Sequence, residues 1–147
     1  RYYFTQRFWR RIVITDKGDY LEYYGGPVKA CPLEKIDQMN SVSWLRHEYP
    51  DYLFWHTVNE GSKHKASAVI DHQMGLLKGV SDILILIGFG GKYPFAAIEL
   101  KRQGKAQASP VSKEQREFLA AVRRRGGFAA VAYGFEQFKI AFCDAIK

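Results

Sequence analysis

The sequence predicts an α/β fold in which helices pack against a mixed β-sheet. An unbroken apolar run, Ile83 to Ile87, is rich in β-branched residues and too short for an independent helix, which is typical of a strand buried on both faces. A glycine-rich turn follows, and Tyr93 to Lys101 then alternates as a second strand, so these two segments form a central hairpin. Segments with apolar residues at helical spacing lie before and after it, which indicates helices flanking the sheet.

The remaining elements follow in a simple order. A hairpin with strands from Ile12 to Thr15 and from Tyr20 to Tyr24 comes first, and Gly25-Gly26-Pro27 ends it. Beyond it we predict the order α-β-α-β-β-α-β-α. The predicted elements outside the central hairpin are helices at Leu33 to His47, Lys65 to Leu77, Lys113 to Arg125 and Phe135 to Ile146, and strands at Tyr52 to Val58 and Phe128 to Tyr133. We expect one compact domain overall, with residues 1–32 as an N-terminal hairpin extension and residues 33–147 as the main domain.

The register of the central hairpin brings two acidic residues together. If the turn is centred near residues 90 and 91, the numbers of paired residues sum to about 181, which sets Asp82 opposite Glu99. Two carboxylates so placed beside an apolar sheet repel each other, so either one takes up a proton or a cation lies between them. Oxygen ligands favour a hard cation such as Mg²⁺ or Mn²⁺. Lys101 lies on the same face and could hold a water or a phosphate beside the ion.

Simpler explanations of these residues stay open. A Glu-x-Lys pattern on a strand occurs often by chance, and an Asp at the start of a strand is often a turn cap. Glu60 follows a buried strand, where chemistry is often carried, although a charge favoured at a helix start explains it more simply. Gln115 occupies position N3 of a capping box whose N-cap is Ser112. It could also reach over the sheet edge to a water or a phosphate, and we expect these two uses to compete for one side chain.

Composition narrows the function classes. No apolar stretch is long enough to span a membrane, and the first residues lack the apolar core of a secretory signal. Cys31 and Cys143 lie far apart, which argues against a disulfide framework and a zinc finger and favours a reducing compartment. The net charge of +7 favours a polyanionic partner. The tyrosines of the first hairpin could stack on nucleobases, although packing within the hairpin or a dimer contact is the favoured interpretation.

Taken together, the sequence resembles the VRR-NUC family of the PD-(D/E)XK nuclease superfamily. The resemblance rests on four motifs in the family's order, which cover residues 59 to about 133: Asn59-Glu60-Gly61, Gly79-Val80-Ser81-Asp82, Ile98-Glu99-Leu100-Lys101 and Ser112-x-x-Gln115. One position departs from the family pattern, since Ser81 stands where the family usually has Pro. Residues 1–32 show no such counterpart. The resemblance implies a restriction-endonuclease-like sheet, with residues 33–147 as a VRR-NUC-like nuclease domain.

The resemblance also implies a role for each motif residue. Asp82, Glu99 and the backbone carbonyl of Leu100 would hold Mg²⁺ or Mn²⁺, with Glu60 as an upstream acidic ligand. Lys101 would orient the attacking water or stabilise the scissile phosphate, and Gln115 would support the site from its helix. The basic residues near these motifs are candidates for contacts with the DNA backbone, and they are Lys63, Arg102, Lys105, Lys113 and Arg116.

The activity implied is that of a metal-dependent endodeoxyribonuclease with a preference for branched DNA such as a Holliday junction. Stand-alone members of the family resemble dimeric junction nucleases, so we expect a homodimer, with the N-terminal hairpin as a candidate contact. The expected setting is the cytoplasm of a bacterial cell or a phage-infected host. Two alternatives are kept: a less selective nicking or end-processing nuclease, and a non-catalytic DNA-binding module of the same fold.

Overall fold

The computed structural model describes residues 12–58 and 65–147. In this part of the chain a six-stranded mixed sheet carries four helices. The strands are β1 (Val13–Asp16), β2 (Leu21–Tyr24), β3 (Leu53–His56), β4 (Ile83–Leu86), β5 (Phe95–Lys101) and β6 (Phe128–Tyr133). The helices are α1 (Glu34–Glu48), α2 (Lys65–Gln73), α3 (Lys113–Arg124) and α4 (Phe135–Ala145). The predicted α/β fold and the predicted order of elements are confirmed, with most element ends within two residues of their predicted positions.

The strands lie side by side in the order β1-β2-β6-β5-β4-β3. β2 and β5 both run parallel to β6, whereas β4 runs antiparallel to β5 and β3 antiparallel to β4. The parallel pairs require helical crossovers, and the antiparallel pairs include the central hairpin. In that hairpin Ile83 pairs with Ile98 and Leu84 with Ala97. This is the register that the position of the turn predicts.

The alternation of side chains along β5 divides the core into two layers. Ala96, Ile98 and Leu100 are buried on the face that α1 and α4 cover. Ala97 is buried on the opposite face, beneath Leu119 of α3. The predicted division of β5 into two faces is therefore correct. It matters for function because Glu99 and Lys101 belong to the face that α3 covers.

Two elements differ from their predicted extents. β3 spans four residues rather than the predicted seven, and α2 ends at Gln73 rather than at Leu77. Gly75, with φ of 95°, begins the departure from helical geometry after α2, since a left-handed backbone suits glycine. The apolar side chains in and just after α2 are largely exposed, including Val69, Ile70 and Met74. No helix in the two described segments has the length and apolarity that a membrane crossing requires.

The N-terminal hairpin is part of the sheet. β2 pairs with β6, and Tyr23 is buried with its ring against Phe128. At the hairpin turn, Arg123 of α3 makes two contacts of 2.7 Å with the carboxylate of Asp16. The described tyrosines of the hairpin, Tyr20 and Tyr23 above all, thus serve packing rather than stacking on bases. Residues 1–11 lie outside the described part, and the division of the chain at residue 32 stays a prediction.

Candidate active site

Asp82 and Glu99 meet where β4 begins and β5 nears its end. Asp82 directly precedes β4, and the observed ladder places it opposite Glu99. The backbone N–H of Leu100 donates a hydrogen bond of 2.8 Å to Oδ2 of Asp82. On the other side, the backbone oxygen of Asp82 accepts from Thr57 and lies 2.8 Å from Nδ1 of His56. Asp82 is therefore held on both sides, by its carboxylate to β5 and by its backbone oxygen to the end of β3.

Gly79, which lies shortly before β4, occupies a position that has no room for a side chain. Gly79 has φ of 77°, and a Cβ at this position would clash with the backbone of Glu114 and Gln115 at the start of α3. This close approach brings the segment that leads to Asp82 against the helix that carries Gln115. Ser81, which replaces the family's usual Pro, is fully buried, and its hydroxyl has no hydrogen-bond partner. The position therefore accommodates a side chain that makes no polar contact, as Pro would.

The carboxyl pair is electrostatically strained. Glu99 is only 3% exposed. Burial, reinforced by the nearby Asp82 carboxylate, raises the pKa of Glu99 to about 8. Burial also raises the pKa of Asp82, against the opposing effects of the Leu100 N–H and the Lys101 ammonium. Two exposed carboxyls would both be ionised near neutral pH. When no cation is bound, the Asp82 and Glu99 carboxyls together keep one proton at that pH.

Lys101 is buried on the same face as Glu99. Its ammonium lies 3.6 Å from Oε1 of Glu99 and donates hydrogen bonds of 3.3 Å to Ser109 and to Oε1 of Gln115. A cation at 3% exposure needs such partners, because an isolated buried charge is costly. These contacts direct the ammonium towards the carboxyl pair and hold it there.

Gln115 joins helix α3 to the site. Its Oε1 accepts from the backbone N–H of Ser112 at 2.9 Å, while the Ser112 hydroxyl accepts from the Gln115 N–H at 3.1 Å, which completes the predicted capping box. Its Nε2 donates to Oε1 of Glu99. The predicted cap use is confirmed, whereas the contact with a water or a phosphate stays a prediction. The amide has two ends, so one side chain caps the helix, supports Lys101 and donates to Glu99.

The sequence reasoning missed Glu34, the first residue of α1. Burial raises the pKa of Glu34, and the Asp82 carboxylate adds to the rise, while Glu34 in turn raises the pKa of Glu99. These mutual shifts show that Glu34 lies within electrostatic reach of the carboxyl pair. The sequence did show an acidic residue in the first turn of a predicted helix. Such residues are common there because the helix dipole favours a negative charge at the helix start, so the pattern does not by itself indicate a functional site.

The donor set fits a hard divalent cation. Oε2 of Glu99 is buried and has no hydrogen-bond partner. The N–H and the carbonyl of one residue in a strand face the same edge of that strand. The Leu100 N–H is bound to Asp82, so the Leu100 carbonyl also faces the Asp82 side of β5. All these donors are oxygen atoms, which suit Mg²⁺ or Mn²⁺. Within residues 12–58 and 65–147, however, no three His, Cys, Asp or Glu side chains converge closely enough to form a complete metal site by themselves.

The remaining predicted site residues fall into three groups. Glu60 and Lys63 lie outside the described residues. Lys113 and Arg116 are exposed on the first two turns of α3. Lys105 and Arg102 have partners within the chain: Lys105 lies 2.6 Å from Glu22 and over the ring of Tyr24, and Arg102 donates to two backbone carbonyls. That these basic residues contact DNA stays a prediction.

Comparison with known proteins agrees with the fold and the motifs. The model of the VRR-NUC domain matches residues 34–136, which is more than half of the chain. A solved structure described as a "VRR_NUC domain protein" is similar with a TM-score of 0.63 and 22% identity, over 81% of this chain and 91% of that chain. None of the curated proteins compared with the chain matches it. The chain therefore belongs to the VRR-NUC family, whose domain is of the nuclease type.

Proposed function

We propose that this nuclease-family protein is a divalent-metal-dependent endodeoxyribonuclease that hydrolyses phosphodiester bonds, with branched DNA as its preferred substrate. The observation that carries the proposal is the buried Asp82–Glu99 pair with Lys101 beside it. A pure DNA-binding module gains nothing from buried acids that face phosphates, because they would repel the ligand. The pair is costly to bury, and a bound cation offsets that cost.

Asp82, Glu99 and the Leu100 carbonyl would hold the ion. Glu60 is the upstream ligand that the family resemblance implies, and Glu34 adds negative charge near the pair, since it contributes to the raised pKa of Glu99. When bound, Mg²⁺ or Mn²⁺ supplies Lewis acidity towards a phosphate oxygen and lowers the pKa of a coordinated water. Glu99 must lose its proton to serve as a ligand, so its raised pKa predicts weaker ion binding as the pH falls below about 8.

Lys101 supplies the fixed positive charge of the reaction. Its ammonium stabilises the negative charge that develops on the phosphate during attack, and it does so without reorganisation because Gln115 and Ser109 already hold it. Gln115 keeps Glu99 and Lys101 in a fixed relation, since its two amide atoms contact both side chains. The chain's residues therefore provide the electrostatic and positioning parts of catalysis.

DNA binding is proposed to use the basic surface beside this site. Lys113 and Arg116 are exposed where α3 begins, one turn or less from Gln115. Together with the net charge of +7, they favour contact with the phosphate backbone. Binding of this type weakens as salt rises.

A homodimer is proposed because a branched duplex offers two scissile strands and each chain supplies one site. Apolar side chains at the β3 edge support it. Leu53 and Trp55 are 64% and 43% exposed, and Leu86, which pairs with Leu53, is 49% exposed on the same face of the sheet. Exposed apolar groups clustered on one face often mark a protein contact. The described part of the N-terminal hairpin is engaged with β6 and α3 instead.

The test is a cleavage assay on a four-way junction and on flap, nicked and linear duplexes of the same sequence, with Mg²⁺, Mn²⁺ or EDTA. Wild type should cut the junction symmetrically with metal alone and sediment as two copies. Glu99→Ala and Asp82→Ala should abolish cleavage, and Lys101→Ala should lower the rate by roughly 10²–10³-fold, with DNA binding retained. Glu136→Ala, which removes an exposed acid of α4, is the control and should cut normally.

Each outcome separates the alternatives. Metal-dependent cutting of every substrate keeps the site and gives a less selective nicking or end-processing nuclease. Tight, salt-sensitive binding without any cutting makes the protein a non-catalytic module and overturns the proposal. Cleavage that persists in Glu99→Ala would show that the chemistry takes place elsewhere.

A further inference from the structure

We propose that Arg102 is a positioning residue that holds the start of α1, the helix that carries Glu34, rather than a contact for DNA phosphates. The proposal rests on the proposed function for the catalytic importance of Glu34. The structural part of the inference, that Arg102 fixes this helix start, stands on contacts alone.

Arg102 binds the segment immediately before α1. Its Nε donates to the carbonyl of Pro32 at 3.1 Å, and its Nη2 donates to the carbonyl of Cys31 at 3.0 Å. Both carbonyls lie within three residues of Glu34. The planar guanidinium makes the two bonds from one rigid group, which a lysine ammonium does not reproduce.

The start of α1 has no side-chain cap. Leu33 occupies the N-cap position, and no side chain there accepts a hydrogen bond from the first turn. Helix starts without such caps fray more readily. The two bonds from Arg102, the residue after β5, therefore hold the chain just before a helix start that its own sequence leaves uncapped.

The position of Arg102 in the chain connects the two halves of the site. Lys101 is the last residue of β5 and lies on the face that α3 covers. Arg102 is the next residue, and it turns to the opposite face, where α1 lies. Lys101 thus places its ammonium beside Glu99 on one face of the sheet. Arg102, the next residue, fixes the helix that carries Glu34 on the other face.

A neighbouring glutamine extends the same contact. Gln107 donates to the carbonyls of Val28 and Lys29 at 3.4 Å each. Gly104 leaves the room for it, because a Cβ there would clash with the Gln107 side chain and touch Val28. The loop after β5 therefore holds residues 28–32 at four carbonyls, all through side-chain donors. Such an arrangement fits a structural role for this loop, in which Nε and Nη2 of Arg102 bind backbone carbonyls.

The first experiment uses the metal-free protein without DNA. The amides of Ile36 and Asp37 bond to the Leu33 carbonyl at the first turn of α1, so their hydrogen exchange reports on this helix start. Arg102→Ala should speed their exchange by about 5- to 10-fold, and Arg102→Lys should do nearly the same, because one ammonium cannot replace the fork. Arg116→Ala, which removes an equal charge from α3, is the control and should leave it unchanged.

The second experiment measures cleavage. Arg102→Ala and Arg102→Lys should each lower the rate at saturating DNA by roughly 10- to 100-fold, with the salt dependence of DNA binding unchanged. In a Glu34→Gln background the further loss from Arg102→Ala should be less than about twofold, because both changes disable one group. Unchanged exchange in Arg102→Ala, or normal cleavage by Arg102→Lys, would overturn the proposal. So would an unchanged rate with a salt slope reduced by about one, the mark of a phosphate contact.

The two experiments also separate this inference from the proposed function. If wild type cuts no DNA while Arg102→Ala still loosens the start of α1, the nuclease proposal fails and the structural role of Arg102 stands. The fold should survive the substitution, because Leu45 anchors α1 in the core and Asp37 accepts a hydrogen bond from the backbone of Phe135 at the start of α4.

Discussion

At the scale of single residues, the account depends on Glu99. Its carboxyl is buried beside Asp82, so folding costs free energy whenever Glu99 is ionised and no cation is bound. The pKa in the folded state, about 8, lies above the unfolded value of 4.5, so the folded protein binds more protons between these pH values. The stability of the metal-free protein should therefore fall as the pH rises from 4.5 to 8.

Glu99→Gln tests this relation, because an amide resembles the protonated carboxyl and can still accept from Gln115. In EDTA the variant should be more stable than wild type at pH 8 and above, by on the order of 3 kcal/mol, and nearly equal to it below pH 4.5. Urea unfolding across this range measures the difference. Glu136→Gln, at an exposed acid of α4, should show no such trend. A Glu99→Gln advantage that does not change with pH would contradict the buried, proton-bound pair.

At the scale of elements, the start of α3 contributes both to the stability of the fold and to the geometry of the site. Ser112→Ala removes the acceptor for the Gln115 N–H and leaves the Gln115 side chain free to contact Glu99 and Lys101. It should lower the free energy of unfolding by about 1 kcal/mol with cleavage within about twofold of wild type. Gln115→Ala should cost a similar amount of stability and also reduce cleavage by roughly 10-fold or more, since it removes one hydrogen bond from a buried lysine and one from a buried carboxyl.

Thermal unfolding and single-turnover cleavage, measured on both variants, separate the two roles. Equal losses of cleavage in Ser112→Ala and Gln115→Ala would mean that Gln115 acts only by starting the helix.

The same elements show what local sequence could and could not predict. The register of β4 and β5 follows from where the glycine-rich connection between the two strands is centred, so the position of Asp82 opposite Glu99 was predictable. The capping box at Ser112 is local as well. The approach of Glu34 was not predictable, because it depends on how α1 packs across a sheet whose neighbours are distant in sequence. The exposed face of α2 was also missed, since apolar periodicity does not say whether a partner surface is present.

At the scale of the whole molecule, the order β1-β2-β6-β5-β4-β3 assembles the site from distant parts of the chain. β4, β5, α1 and α3 each contribute a group, so the carboxyl pair meets Lys101, Gln115 and Glu34 only in the folded chain. Strand order of this kind comes from long-range pairing, which motif spacing does not specify. Family resemblance supplied the fold, whereas the sharing of Gln115 between helix cap and site, and the contacts of Arg102 and Lys105, required the structure.

The central claim is that Asp82 and Glu99 hold a divalent cation, and thermal unfolding with and without about 10 mM Mn²⁺ at pH 8 tests it most directly. Mn²⁺ should raise the melting temperature of wild type by about 4–8 °C and leave that of Asp82→Asn and Glu99→Gln nearly unchanged, because only the ionised pair binds the ion. An equal rise in all three proteins, or none in wild type, would contradict the claim.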